Sequence, residues 1–331
     1  VNILITGAAG FIGHGLSDRL LARGDTVIGI DNMNDYYDPD LKRARIADLS
    51  NRHGSKFTFK LVDFADHDLL EQSLAGDNFR TIAHLGAQAG VRYSILNPRA
   101  YVQSNLVGHL NMLELARERS LPMVYASSSS VYGGNDQLPF SVEDRVDQPI
   151  SLYAATKRAD ELMSETYAHL YRLPLTGLRF FTVYGPWGRP DMAIWMFTRD
   201  ILEGRPIKVF NQGRMKRDFT YIDDIITGVV ASLDNPPADD GTMKAGGSVT
   251  PHRLYNIGNN RSEELMDMIA TIEAACGRKA ELDFQPMQPG DVLESHANID
   301  AISRDLGYAP TTPISVGIPR FVDWYRQYCG L

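Results

Sequence analysis

Short apolar runs recur through the first half of the chain, and each is followed by a stretch whose apolar positions return every three or four residues. Residues 1–6, 26–30, 57–62, 81–85, 123–126 and 175–179 are short and nearly continuous in apolar character, so they read as strands buried on both faces. Residues 13–23, 100–119 and 153–173 carry helical spacing. Strand alternating with helix predicts parallel strands joined by right-handed crossovers. The expected fold is therefore α/β: a doubly wound parallel sheet of Rossmann type with a smaller C-terminal α/β domain. Composition changes after Gly185, where PWGRPDM is rich in Pro and Gly. We assign residues 1–183 and 218–261 to the first domain, and 184–217 and 262–331 to the second. Residues 236–251 are poor in apolar side chains and read as a flexible surface loop. No internal repeat is visible.

The first strand ends in TGAAGFIG, which sets Gly7, Gly10 and Gly13 between a strand and a helix, with Phe11 and Ile12 opening that helix. Glycines here permit a tight turn and a close backbone approach to a pyrophosphate, and the helix N-terminus supplies N–H groups and a positive dipole end. Asp31, followed by Asn32, closes the second strand. A carboxylate there accepts hydrogen bonds from ribose hydroxyls and repels a 2′-phosphate, so NAD is expected over NADP.

Downstream, Tyr153 and Lys157 stand four apart at the start of a helix and share one face. A phenol is a poor base at neutral pH, and a neighbouring cation favours its ionised form. Tyrosine and lysine at this spacing occur by chance on many surfaces. The serine run Ser127–Ser128–Ser129–Ser130 at the end of a strand is what lifts the pair to a candidate catalytic set, because active sites of doubly wound sheets lie at the carboxyl ends of strands.

These motifs resemble the extended short-chain dehydrogenase/reductase family. The stretch from Arg179 to Met192, RFFTVYGPWGRPDM, looks like that of its UDP-glucuronate 4-epimerases. The resemblance runs through nearly the whole chain and implies NAD and a UDP-sugar substrate. It implies that Asp63 meets the adenine amino group, with Phe64 beside it, and that Leu85, Gly86 and Ala87 line the cofactor. The family usually has alanine at position 86, so a looser wall is expected there. It places Ser128 at the catalytic hydroxyl, with Ser129 as the alternative register. It gives the sugar carboxylate to Ser129, Ser130, Thr182 and Arg189, the diphosphate to Arg217, uracil to Phe210 and its ribose to Asp291. Arg189 as a solvated loop charge and Phe210 as a core residue remain open on the residues alone. Gln288 stands where UDP-galactose epimerases carry a phosphate-binding arginine. Ser129 and Ser130 are neutral where dehydratases carry an acid pair and decarboxylases a glutamate, which speaks against both reactions.

Composition narrows the picture further. A net charge of −8 disfavours nucleic acid and anionic membrane as partners. No run approaches the roughly 20 apolar residues of a membrane span. Cys276 and Cys329 make neither a disulfide framework nor a metal cage, and no metal is expected. A strand opens the chain with no signal segment before it, so a cytoplasmic protein is expected, although the absent initial Met points to a few residues upstream. His14, His84 and His109 read as packed core residues. Helices 100–119 and 153–173 are apolar beyond one face; the family pairs through them, so a homodimer is expected, and core packing within one chain stays open as the other source of the pattern. Three readings compete with a UDP-glucuronate 4-epimerase: a UDP-glucose/galactose 4-epimerase, a UDP-glucuronate decarboxylase, and a non-catalytic NAD-binding sensor or scaffold.

Overall fold

Six of the seven strands in the central sheet form where the apolar runs lie: β1 (Asn2–Thr6), β2 (Thr26–Asp31), β3 (Phe57–Leu61), β4 (Thr81–His84), β5 (Met123–Ser128) and β6 (Leu175–Phe180). In this computed structural model, which describes residues 1–288 and 292–331, the seventh strand is His252–Ile257. All pair in parallel, in the order His252–Ile257, β6, β5, β4, β1, β2, β3. Successive side chains alternate between faces. Ile3 and Ile5 join one core with Leu16, Leu20, Ile225 and Val229, whereas Leu4 joins the other with Leu70, Met112 and Leu113. Helices Phe11–Arg23 and Ile222–Asp234 therefore cover one face. Helices His67–Leu74, Gly108–Arg119 and Leu152–Tyr171 cover the other.

The sheet's chain order reverses beside β1, between the crossovers that lead to β2 and to β4. The carboxyl ends of β1, β2, β4 and β5 open there onto one cleft, as expected for a doubly wound sheet. Beyond β6 the chain builds smaller pieces. Thr182–Tyr184 pairs with Phe219–Tyr221, Ile207–Phe210 with Leu282–Gln285, and Lys216–Arg217 with Glu263–Glu264. Helices Ala193–Glu203, Leu265–Cys276 and Ile314–Cys329 pack among them. All three tryptophans of the chain meet here, Trp187 5.3 Å and Trp195 5.5 Å from Trp324 between ring centres.

Two expectations change. The helix expected over 100–119 is Pro98–Tyr101, then a wider π-helical turn Val102–Val107, then Gly108–Arg119. The loop at 236–251 has no helix or strand, but it is pinned rather than loose. Lys244 N–H donates to the Ser248 carbonyl at 2.7 Å, Ser248 Oγ to Glu165 at 2.8 Å, and Gly246 N–H to Glu143 at 3.1 Å. Hydrogen bonds within the loop, to Glu165 on the helix beneath and to Glu143 stand in for its missing apolar side chains.

Candidate active site

Gly7 has φ +69°, a left-handed turn that lets Gly10 N–H reach back to the Gly7 carbonyl at 2.9 Å. A Cβ on Gly13 would sit 2.0 Å from that same carbonyl, so only glycine lets the helix start this close to the turn. Gly10 at the N-cap offers no side chain to the first-turn N–H groups, which leaves them for an anion. Asp31, 7% exposed, accepts from Ala9 N–H at 3.2 Å and Met33 N–H at 2.9 Å. Burial pushes its carboxyl up, against the pull of Lys42. Asn32 reaches from the cleft to Asp63 at 3.1 Å. Asp63 itself does not line the cleft; its other oxygen takes Ala65 N–H at 2.9 Å. Glycine cradle, open helix end and buried carboxylate together fit a dinucleotide.

Gly86 corrects one expectation. A Cβ there would meet the Phe64 ring at 2.5 Å, so the wall is not looser; the Phe64 ring has taken the space an alanine methyl would fill. Gly86 N–H donates to Thr6 Oγ1 at 2.9 Å, and Thr6 also bonds His84 Nδ1 at 2.8 Å.

Ser151 caps the helix that carries Tyr153 and Lys157, its Oγ accepting Ala154 N–H at 3.1 Å. Such a cap contributes about 1 kcal/mol and fixes the first turn, where Tyr153 sits. Lys157 is 2% exposed, with Nζ 2.9 Å from the Ala126 carbonyl and 3.0 Å from Asp160. Burial raises the Asp160 carboxyl to about 7 despite that cation. Of the serines, Ser127 has its hydroxyl committed to Glu161, to which it donates at 2.6 Å. Ser128 accepts Ser130 N–H at 3.1 Å and caps the short turn Ser129–Tyr132. Ser128, Ser129, Ser130 and Tyr153 line one cleft with Phe11, Ile12, Leu85 and Ala87, a cavity of about 1150 Å³.

Thr182, Arg189, Phe210 and Arg217 line the same cleft. Phe210 is on the cleft wall rather than in the core, with the Arg92 guanidinium 5.0 Å over its ring. Arg217 donates to the Lys216 and Leu293 carbonyls at 2.8 and 3.2 Å. Arg189 is no solvated surface charge: it is 24% exposed and paired with Asp191. Tyr36 OH donates to Asp191 at 3.0 Å, and burial beside that carboxylate pushes the phenol up to about 12. Gln288 lines the cleft too; Asp291 lies outside the described residues.

Sequence reasoning missed five supporting side chains. Asn105, in the π-helical turn, takes Gln88 N–H at 2.8 Å and donates to Thr156 at 3.0 Å, which joins the β4 loop to the Tyr153 helix. Glu161 and Arg179 form a two-bond buried pair at 2.8 and 2.9 Å under the serine turn. Arg45 and Asp191 complete the set. Apart from the Arg189–Asp191 pair, their contacts are with residues distant in the chain or with backbone carbonyls, and only the polar type of the side chains could have hinted at them.

A model of the NAD dependent epimerase/dehydratase family matches residues 3–258. The chain belongs to that family. It is 48% identical to UDP-glucuronate 4-epimerase 4 of Arabidopsis thaliana, over 99% of this chain and 76% of the plant protein. It is 45% identical to a probable UDP-glucuronate 4-epimerase of Rhizobium meliloti, over 99% and 97%. Among solved structures it is similar to UDP-glucuronic acid 4-epimerase of Bacillus cereus in complex with UDP-glucuronic acid and NAD. There the TM-score is 0.85 and the identity 32%, over 99% of this chain and all of that one. The family's NAD dependence agrees with the glycine cradle and Asp31. Among the described residues, no helix is long and apolar enough to cross a membrane.

Proposed function

We propose that the chain interconverts UDP-glucuronate and UDP-galacturonate by inverting carbon 4 of the sugar. The observation that carries this reading is Arg189, a guanidinium set with Thr182 and two neutral serines in the cleft that also holds Tyr153 and Lys157. The plant, Rhizobium and Bacillus relatives support the same choice.

NAD held there would supply a reversible hydride acceptor for carbon 4, so net redox would be zero. Gly7, Gly10, Gly13 and Asp31 would hold it, with Asn32, Phe64, Leu85, Gly86 and Ala87 along its length. Tyr153 takes the proton of the 4-hydroxyl and gives it back after the keto sugar has turned its other face. Ser128 hydrogen-bonds that oxygen. Lys157, fixed by the Ala126 carbonyl and Asp160, stabilises the phenolate. Arg217 grips the diphosphate and Phe210 packs on uracil while the sugar turns. A 4-keto uronic acid is a β-keto acid and loses carbon dioxide when its carboxylate stands perpendicular to the carbonyl plane. Arg189, Thr182, Ser129 and Ser130 hold the carboxylate away from that angle.

A neutral hexose would leave Arg189 without a use, and decarboxylation would leave the carboxylate grip without one. A sensor has no need of Tyr153 and Lys157 together. We further propose a homodimer, supported by Leu110, Leu162 and Leu170, which are 41, 53 and 61% exposed on the helices expected to pair. A cytoplasmic location suits the free thiols of Cys276 and Cys329.

The test is proton NMR of the purified protein with UDP-glucuronate and no added NAD. UDP-galacturonate approaching a fixed ratio supports the proposal. A UDP-pentose product would make the protein a decarboxylase.

A further inference from the structure

Arg45 is fully buried at 0% exposure, yet its hydrogen-bonding partners are neutral. Nη1 donates to the Ala9 carbonyl at 2.9 Å and to Tyr37 OH at 2.7 Å; Nη2 donates to the carbonyls of Trp187 at 2.7 Å and Gly188 at 3.0 Å. A guanidinium is costly to bury, and its flat fork spans partners that a lysine could not hold together. Those partners belong to two sites. Ala9 lies in the glycine turn, and its N–H is on Asp31. Trp187 and Gly188 directly precede Arg189, and Trp187 holds a left-handed φ of +64° that non-glycine residues rarely adopt. The circuit closes on itself: Arg189 pairs with Asp191, Asp191 takes Tyr36 OH, and Tyr36 and Tyr37 lie on the segment that leaves Asp31.

We infer that Arg45 is a positioning residue that couples the dinucleotide turn to the turn carrying Arg189, so that cofactor and sugar carboxylate strengthen each other's binding. The inference rests on the proposed role of Arg189 as the carboxylate's ligand. A dinucleotide on the Ala9 turn fixes the Ala9 carbonyl, Arg45 transmits that position to Trp187 and Gly188, and Arg189 is presented in one orientation. Binding linkage is reciprocal, so a carboxylate on Arg189 must in turn hold the dinucleotide. That suits a reaction in which the cofactor must not leave while the sugar is oxidised.

The experiment measures NAD release from the holoenzyme, trapped by a coupled dehydrogenase, under saturating UDP-glucuronate or saturating UDP-glucose. In the wild type UDP-glucuronate should slow release about tenfold more than UDP-glucose, within the usual range of coupling between sites. Arg45→Lys should bring that ratio near one. Tyr37→Phe, which removes one acceptor and is the milder change, should lower it part-way if Arg45→Lys does not fold. A merely structural role would quicken release equally with both sugars and leave the ratio alone. A wild-type ratio near one, or an unchanged ratio in the variants, overturns the coupling. Arg189→Ala separates the two ideas. If it abolishes the ratio, Arg189 is the carboxylate's ligand and the coupling ends on it. If the ratio survives Arg189→Ala but not Arg45→Lys, the role given to Arg189 is wrong and the coupling through Arg45 stands.

Discussion

Asp191 holds Arg189 by one whole edge of the guanidinium, with Nε 3.0 Å from one carboxylate oxygen and Nη2 2.5 Å from the other. The pair lies beside the sugar end of the cleft, so an incoming carboxylate meets an arginine whose plane is already set. Arg189 in turn holds the Asp191 carboxyl below its usual range, outweighing burial. Asp191→Asn keeps the shape and loses the charge and one acceptor. The expected outcome is UDP-pentose appearing beside UDP-galacturonate, as Arg189 no longer keeps the carboxylate at one angle. Product ratios by NMR check this; an unchanged ratio would remove Asp191 from the grip.

Gly86→Ala asks the Phe64 ring to move, since the new methyl would stand 2.5 Å from it and 3.0 Å from Thr6 Oγ1. Overpacking of this kind costs about 1–3 kcal/mol. The variant should retain less NAD after dialysis and melt earlier. Phe64→Leu added to it should recover part of both losses.

Three histidines tie stability to pH. His84 is held down to about 3 by burial and then by Lys157, His109 lies well below the usual range, and burial lowers His14 against the pull of Asp48. The fold disfavours the protonated form of each, most strongly at His84 and His109, whereas an unfolded histidine takes its proton near pH 6.5. Their stabilisation is whole above about pH 6.5 and is lost as pH falls towards 3. Thermal melts from pH 7 to pH 5 should show a falling Tm. His84→Gln should flatten that slope, and a slope equal to wild type would put the pH dependence elsewhere.

Leu162→Glu places a charge on the exposed apolar face of helix Leu152–Tyr171, away from the side that carries Lys157 into the core. Light scattering should show the wild type as a dimer and the variant as a monomer or a weak dimer. A wild-type monomer would mean that these leucines have another use.

The strands β1 to β6 were legible to within two residues. For β1, β2, β4, β5 and β6 the reason is that a parallel strand covered on both faces is largely apolar. The half-exposed edge strand β3 was legible because its Phe57, Phe59 and Leu61 alternate with polar residues. His252–Ile257 was not, although it is as buried as they are. His252, Arg253 and Asn256 satisfy their polar groups internally, on Tyr125, Thr176 and Tyr132, so the strand carries no apolar signature. The π-helical turn at Asn105 was hidden for a related reason: spacing reports 3.6 residues per turn and not a local widening. Motifs located the ends of the cleft, from Gly7 to Arg189. The struts between them, Arg45 and Tyr36, depend on tertiary distances that no local pattern records.

The three tryptophans have a practical consequence. Trp187 stands two residues before Arg189 and within 5.3 Å of Trp324, and Trp195 adjoins the same ring. Nearly all of the protein's intrinsic fluorescence therefore originates beside the turn that would take the sugar's acid group. A change in that emission would report the arrival of a uronate without any label, and tryptophans lost from this cluster would leave the protein dark at the place of most interest.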